Sequence, residues 1–316
     1  MKDRFQRYRY RHAMREFLAE TVLLPRQLIM PVFIATETRG LDSLPQQWQY
    51  TPEAVAELAQ VLYHDGIRSV LLFGIPDTRD DTGAMAADAN GLIPRAIRAI
   101  HNAVPDMIVI ADLCLCQYTT HGACACLTIA GNIDMTSTHR ALETIAIAYA
   151  EAGADAIAPS GMIDGTVPRL RQVLDRYQQP LLIAYAMKYH SALYGPFRDA
   201  TVCYQPPGAY SRAQHQLPPT QQREALRDAL YDADTGADSL IVKPAGFYLD
   251  QITRLRDQTA VPIIAYQVSG EYTLLRNAGQ AIITESLIAI KRAGADFIIT
   301  YFAHEWAKLL NQTRQT

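Results

Sequence analysis

The sequence predicts an α/β protein, a (β/α)8 TIM barrel preceded by an N-terminal arm, on three observations. Short apolar runs recur from one end of the chain to the other, at 28–34, 69–75, 107–113, 156–160, 181–186, 239–245, 262–268 and 297–303. They are continuous rather than alternating, the pattern of strands buried on both faces of a parallel sheet. Amphipathic helical stretches separate them, and several helix ends share a phrase: EAGADAIAPS, DTGADSLIVKPA and RAGADFIITYFA, with HDGIRSVLLFGI as a looser copy. Each copy puts glycine where a helix C-terminus needs a residue tolerant of positive φ, then a polar turn and the next strand. Eight such units fit a closed barrel better than an open doubly wound sheet, which seldom repeats so evenly.

Residues 1–25, basic and aromatic, form an arm expected to pack on a partner subunit, with a helix folded on its own barrel as the alternative; residues 26–316 form one catalytic domain. LIMPVFI opens the barrel and TPEAVAELAQVLYHDG supplies its helix. SVLLFGI follows, with IPRAIRAIHNAV. The third run, MIVIADL, ends at Asp112 and a cysteine cluster before STHRALETIAIAYAEAG. AIAPS ends at Ser160 and leads to VPRLRQVLDRY. Lys188 stands just past the fifth run, LLIAYA, whose helix is QQREALRDALYDADTG. The sixth, SLIVKPA, holds Lys243 inside it and precedes DQITRLRDQT. Ser269 follows PIIAYQV, ahead of ITESLIAIKRAG, and Tyr301 lies within FIITYFA. In this fold catalytic groups come from the C-terminal ends of strands and the loops after them, where these unusual residues collect.

Composition narrows the function. The 316 residues are 49% hydrophobic, enough for a sizeable core, so the chain is not disordered. Lys+Arg 29 against Asp+Glu 32 gives a formal charge of -3, which provides no basic field for nucleic acid or an anionic membrane. The N-terminus is too charged for a signal peptide and no stretch is long and apolar enough to span a bilayer, so the protein is expected in the cytoplasm. Five lysines stand among 29 basic residues, and four of five cysteines (Cys114, Cys116, Cys124 and Cys126) fall close together. In a reducing compartment such clustering suggests metal or redox chemistry rather than disulfides.

Lys243 sits in an apolar run, where desolvation lowers an ammonium pKa and leaves a nucleophilic amine. A lysine that snorkels to the barrel mouth or pairs with a carboxylate is the structural alternative. Adjacent strands would bring Lys188 and Lys243 together, and two neighbouring ammonium groups lower each other's pKa further; carbonyl substrates captured as Schiff bases are the chemistry such a pair serves. The spacing of Cys114, Cys116 and Cys124 suits zinc, with three thiolates leaving a fourth position for water or substrate. A closed structural site completed by Cys126 or His121 is the rival. Arg198, Arg212 and Gln216 lie on segments rich in Gly, Pro and Tyr, where guanidinium groups read as carboxylate clamps or as solvated surface arginines.

DLCLCQYTTHG, APSGMIDGTV, KYHSALYGPFRDA, IVKPAGFYLD and AYQVSGEY, in this order and spacing, resemble the porphobilinogen synthase (5-aminolevulinate dehydratase) family from about Leu28 to Phe302. The resemblance implies condensation of two 5-aminolevulinate molecules to porphobilinogen with loss of two waters, in tetrapyrrole (haem) biosynthesis, by a homo-octamer. It makes Lys243 the Schiff-base lysine, Lys188 the second active-site lysine and Asp112 the acid near the substrate amino group. Cys114, Cys116 and Cys124 become ligands of a catalytic zinc; Ser269 and Tyr301 hold the first substrate's carboxylate, and Arg198, Arg212 and Gln216 the second substrate. An allosteric magnesium site is left open. Gly161 stands where the family usually has Asp, Ala123 where His commonly precedes the last zinc ligand, and Leu44-Pro45-Gln46 replaces Met-Pro-Gly, while the lid from Thr201 to Pro219 is altered. These departures keep two rivals in view: a paralogue that condenses another amino ketone, and an inactive zinc-binding oligomer.

Overall fold

The computed structural model describes residues 5–177, 180–203 and 210–313. Its strands are β1 (Leu28–Ala35), β2 (Arg39–Gly40), β3 (Trp48–Tyr50), β4 (Ser69–Ile75), β5 (Ile108–Leu113), β6 (Ala156–Pro159), β7 (Leu181–Lys188), β8 (Ser239–Lys243), β9 (Ile263–Gln267) and β10 (Phe297–Thr300). β1 and β4 to β10 run parallel, each beside the next, and β10 pairs back onto β1, so eight strands close a barrel. They are the eight apolar runs. Closure leaves no open edge, and because one face of each strand fills the barrel interior while the other lies under the helices, nearly every residue in them is buried. β2 and β3 form a small antiparallel appendage on the mouth side of β1.

The helices are α1 (His12–Phe17), α2 (Ala54–His64), α3 (Leu92–Ala103), α4 (Met135–Glu151), α5 (Thr166–Leu174), α6 (Gly195–Thr201), α7 (Arg223–Asp234), α8 (Leu249–Arg256), α9 (Ser269–Leu275), α10 (Gln280–Arg292) and α11 (Ala303–Thr313). In α3 the buried residues Ile93, Ala96, Ile97 and Ile100 recur at helical spacing and face the barrel. Asp134 caps α4 by accepting from the Ser137 N–H at 3.0 Å. The glycines of the repeated phrase, Gly153 and Gly294 among them, take φ of +97° and +117°, where a side chain would be strained. Two short helices, α6 and α9, lie in the loops after β7 and β9 and were not anticipated. In the arm, α1 buries none of its residues fully and Phe17 is 79% exposed.

Two positions at the mouth differ from expectation. Tyr301 falls just past β10, which ends at Thr300. Lys188 is the last residue of β7, level with Lys243 at the end of β8, where the sequence put Lys243 deeper. The cause is an irregularity in β7: Ala184 pairs with Leu240, but Met187 pairs with Val242, so one extra residue of β7 is inserted between them. Tyr185 and Lys188, three residues apart, therefore face the same side.

Candidate active site

The mouth is built from the ends of β5 to β9. Lys188 and Lys243 are cross-strand partners, each 7% exposed. The Lys243 Nζ stands over the Tyr266 ring at 4.3 Å and the Tyr194 ring at 4.9 Å, with Tyr185 and Phe197 at 5.4 and 5.7 Å. Burial, then the neighbouring Lys188 charge, lowers its pKa to about 7, with Asp112 opposing the shift. Near neutral pH a large share of this amine is therefore unprotonated. Lys188 donates to the Ser160 carbonyl. Asp112 accepts from the Tyr185 hydroxyl at 3.3 Å and the Gln117 amide at 3.4 Å. Burial raises its pKa to about 6, against a hydrogen bond from Ser160 and the charges of the two lysines.

The loop after β5 folds back so that the sulfurs of Cys114, Cys116 and Cys124 lie within 4.8 Å of one another, all buried. Cys114 and Cys116 are 3.3 Å apart. Hydrogen bonds from the other two thiols lower the Cys124 pKa, while hydrogen bonds with Cys114, then with Cys124 and Cys203, and then burial raise Cys116. Bound tetrahedrally at about 2.3 Å, three sulfurs would be roughly 3.8 Å apart, so the donor set fits a soft dication with little movement. Cys126 is not in this group; it packs in the apolar core with its N–H on Thr138 Oγ1. His121 accepts from the Ala123 N–H at Nδ1 and reaches the Asp81 carbonyl from Nε2, both at 3.1 Å. Neither rival closes the site.

A cavity of about 40 Å3 joins Lys188, Lys243, the three cysteines, Arg198, Arg212 and Gln216 in one wall. It admits a few waters, so substrate entry requires the segments above it to move. Arg212 is buried and donates to the carbonyls of Gly122 at 2.7 Å and Cys203 at 3.0 Å. The Gln216 Oε1 is buried with no hydrogen-bond partner among the described residues. Ser269 and Tyr301 stand apart from that cavity. Ser269 Oγ accepts from the Phe197 N–H and donates to Leu193 O, both at 3.1 Å, which ties α9 to the start of α6. Tyr301 shares a 3.3 Å contact with the Tyr266 hydroxyl and stacks on Phe33, which Phe197 covers at 5.8 Å. Residues 204–209 of the expected lid lie outside the described residues.

Sequence reading missed several contributors. Tyr185, Tyr194, Phe197 and Tyr266 wrap Lys243, and only their place beside the lysine motifs could have marked them. Glu271 accepts from the N–H groups of Val268, Gly246 and Ala245 at 2.7, 2.6 and 3.3 Å, so it fixes the turn after Lys243 to the start of α9. A Cβ on Gly246 would meet that carboxylate at 2.7 Å. His215 donates from Nδ1 to the Gly161 carbonyl at 2.6 Å and faces the Tyr210 hydroxyl at 2.8 Å, which accepts from the Cys124 N–H at 3.1 Å. Cys203, absent from any motif, packs with the three cysteines.

A parallel barrel whose mouth carries an amine kept close to neutrality beside three convergent thiols has the groups used by one class of protein, lysine-dependent enzymes that act on carbonyl compounds. A family model described as Delta-aminolevulinic acid dehydratase matches residues 2–309, and the chain belongs to that family. The Delta-aminolevulinic acid dehydratase of Methanothermobacter thermautotrophicus is 40% identical over 313 residues, 95% of either chain. That of Bacillus subtilis is 40% identical over 324 residues, 98% of either. The Toxoplasma gondii delta-aminolevulinic acid dehydratase (porphobilinogen synthase), solved with its reaction product porphobilinogen, is similar with a TM-score of 0.94 and 35% identity, over 98% of this chain and 92% of that one.

Proposed function

We propose that this chain is a hydro-lyase that condenses two molecules of 5-aminolevulinate to porphobilinogen with loss of two waters, in tetrapyrrole (haem) biosynthesis. The observation that carries the reading is the lysine pair, in register beside three convergent thiols, in a member of this family. Lys243, neutral near pH 7, attacks the first substrate's ketone; the imine forms as water leaves. The resulting iminium is a cation, which the faces of Tyr266 and Tyr194 stabilise. Lys188 keeps Lys243 neutral by its own charge, and forms an imine with the second substrate or transfers protons. Asp112, near its titration midpoint at about pH 6, holds the amino group of a substrate and exchanges a proton with it.

Ser269 and Tyr301 take the first substrate's carboxylate once α6 moves aside. Arg198 and Arg212 take the second's, and the Gln216 Oε1 accepts an N–H from it. Cys114, Cys116 and Cys124 would hold a zinc ion, which when bound supplies Lewis-acid polarisation and orientation of the second substrate. Asp164, Asp228 and Asp232 line a separate cavity of about 370 Å3 between α5 and α7, but among the described residues no three carboxylates converge there to hold an ion, so nothing at that place supports a magnesium site. The exposed aromatic residues of the arm, Phe5, Tyr8, Tyr10 and Phe17, suit packing on a partner in a homo-octamer. A cytoplasmic setting keeps the thiols reduced; no described helix is long and apolar enough to cross a membrane.

The test is pyrrole formation from 5-aminolevulinate by zinc-loaded protein under reductant, with Lys243→Ala as comparison. Turnover should fall by about 10³-fold or more in the variant, roughly 4 kcal/mol of barrel-mouth catalysis. Borohydride with substrate should label Lys243. A folded, zinc-loaded wild type that makes no pyrrole overturns the reading, and label mainly on Lys188 overturns the division of roles.

A further inference from the structure

On the proposed reading the first substrate is held at two points, its ketone carbon on the Lys243 Nζ and its carboxylate on Ser269 and Tyr301. The spacing of those points decides which keto acids fit. The strand ladder does not set it. The last register pair between β8 and β9 is Val242 with Ala265, and Lys243 and Ser269 both lie beyond it. One tie between the two runs indirectly through the segment after β7. There the Tyr194 hydroxyl donates to the Lys243 carbonyl at 3.3 Å, and Ser269 Oγ donates to the Leu193 carbonyl at 3.1 Å.

Glu271 makes the direct tie. One oxygen of its carboxylate accepts from the Gly246 N–H at 2.6 Å, three residues past Lys243. The other accepts from the Val268 N–H at 2.7 Å, just before Ser269, and from the Ala245 N–H at 3.3 Å. The residue is 4% exposed. An ionised carboxylate is costly to bury, and converging backbone donors are what such a group requires. The turn is shaped around it, since Gly246 lacks the Cβ that would stand 2.7 Å from the Glu271 Oε1. A glutamine of the same size would keep one acceptor oxygen and aim its NH2 group at a backbone N–H of the other turn, so a neutral isostere holds one side only. Two acceptor oxygens, one for each turn, are therefore the property this position uses.

We propose that Glu271 is a positioning residue that sets the distance between the imine-forming lysine and the carboxylate subsite, and so makes the first-substrate site selective for 4-oxo acids, in which two methylene groups separate ketone and carboxylate. This rests on the Schiff-base reading of Lys243 and on the assignment of Ser269 to the carboxylate. Glu271 acts through the two turns and touches neither the substrate nor the reacting atoms.

Borohydride trapping at Lys243 of two keto acids that lack an amino group reads the distance: 4-oxopentanoate, with the spacing of 5-aminolevulinate, and 5-oxohexanoate, one methylene longer. Wild type should trap the shorter acid about 30-fold faster, and in Glu271→Gln that ratio should fall to about threefold. A ratio taken on one preparation does not depend on the fraction folded, so lost stability alone leaves it unmoved. Gly246→Ala, at an exposed position, keeps Glu271 and displaces its carboxylate; the ratio should shift the same way by less, and this variant carries the test where Glu271→Gln does not fold. An unchanged ratio in a folded variant, or a wild type that traps both acids equally fast, overturns the inference and leaves Lys243 as the Schiff-base lysine. A wild type that traps neither acid removes the Schiff-base reading and this inference together.

Discussion

The two halves of the barrel mouth solve opposite electrostatic problems. On the side of β5 to β7 the walls are thiols, Asp112, Ser160, Arg198 and Arg212, groups that carry or accept full charge. On the side of β8 to β10 and β1 they are Tyr266, Tyr301, Phe33 and Phe197, and the one charged group among them, Lys243, is pushed to about 7. Aromatic faces tolerate a cation but hydrate it poorly, so this half suits an amine that is neutral before reaction and cationic once it is an iminium. The polar half suits a metal dication and a carboxylate. On the proposed reading, the difference places imine formation and metal-assisted condensation in separate halves of a single site.

Removing the metal tests that separation most severely. Chelation under reductant should cut pyrrole formation by about 10²-fold or more, since Lewis-acid assistance contributes several kcal/mol, while borohydride trapping of the first substrate at Lys243 stays near its original rate. Trapping that falls in parallel with turnover would erase the comparison. Pyrrole formation should recover with zinc.

A smaller effect probes how far one half reaches into the other. The Lys188 charge lowers the Lys243 pKa, so in Lys188→Met that pKa should rise by about one unit, and trapping at pH 7 should slow about fivefold. The sign is fixed: a depressed amine pKa means the neutral form gains as pH rises through about 7 in wild type, so the acid limb of the trapping profile moves to higher pH in the variant. An unmoved limb would assign the depression to burial alone. The smallest effect belongs to Gln216. Its unpartnered Oε1 costs the free enzyme a buried acceptor, so Gln216→Leu should leave the melting temperature unchanged or slightly raised. KM should rise about fivefold, the worth of one hydrogen bond of roughly 1 kcal/mol, with kcat nearly constant. A fall in kcat with KM unchanged would move Gln216 from binding to chemistry.

Much of this was legible in the order of residues. The eight apolar runs became the eight barrel strands, because a strand buried on both faces must be apolar throughout. Cys114, Cys116 and Cys124 converge as their spacing suggested, since a short loop after a strand can return no farther than its own mouth. Ser269 and Tyr301 were found by resemblance, yet the structure sets them behind Phe197, and nothing in the spacing of α6 announced that this short helix covers them. Gly161 and the altered lid looked like two departures. They meet in the fold, where His215 of the lid donates to the Gly161 carbonyl across fifty-four positions of chain.

The sequence by itself determined the barrel, the helices that return between strands, and the residue types at the mouth, because hydrophobic period, glycine placement and clustered thiols are local properties of the chain. Tertiary structure alone decided which of those residues meet. An inserted residue in β7 turns Lys188 to the side of Tyr185 and sets it opposite Lys243; in a regular strand, positions three apart face opposite ways and the second lysine would have pointed out of the site. Cys203 likewise joins the other thiols only through the strained turn at Val202 that Arg79 holds. Register and turn conformation depend on partners distant in sequence, so no local pattern encodes them.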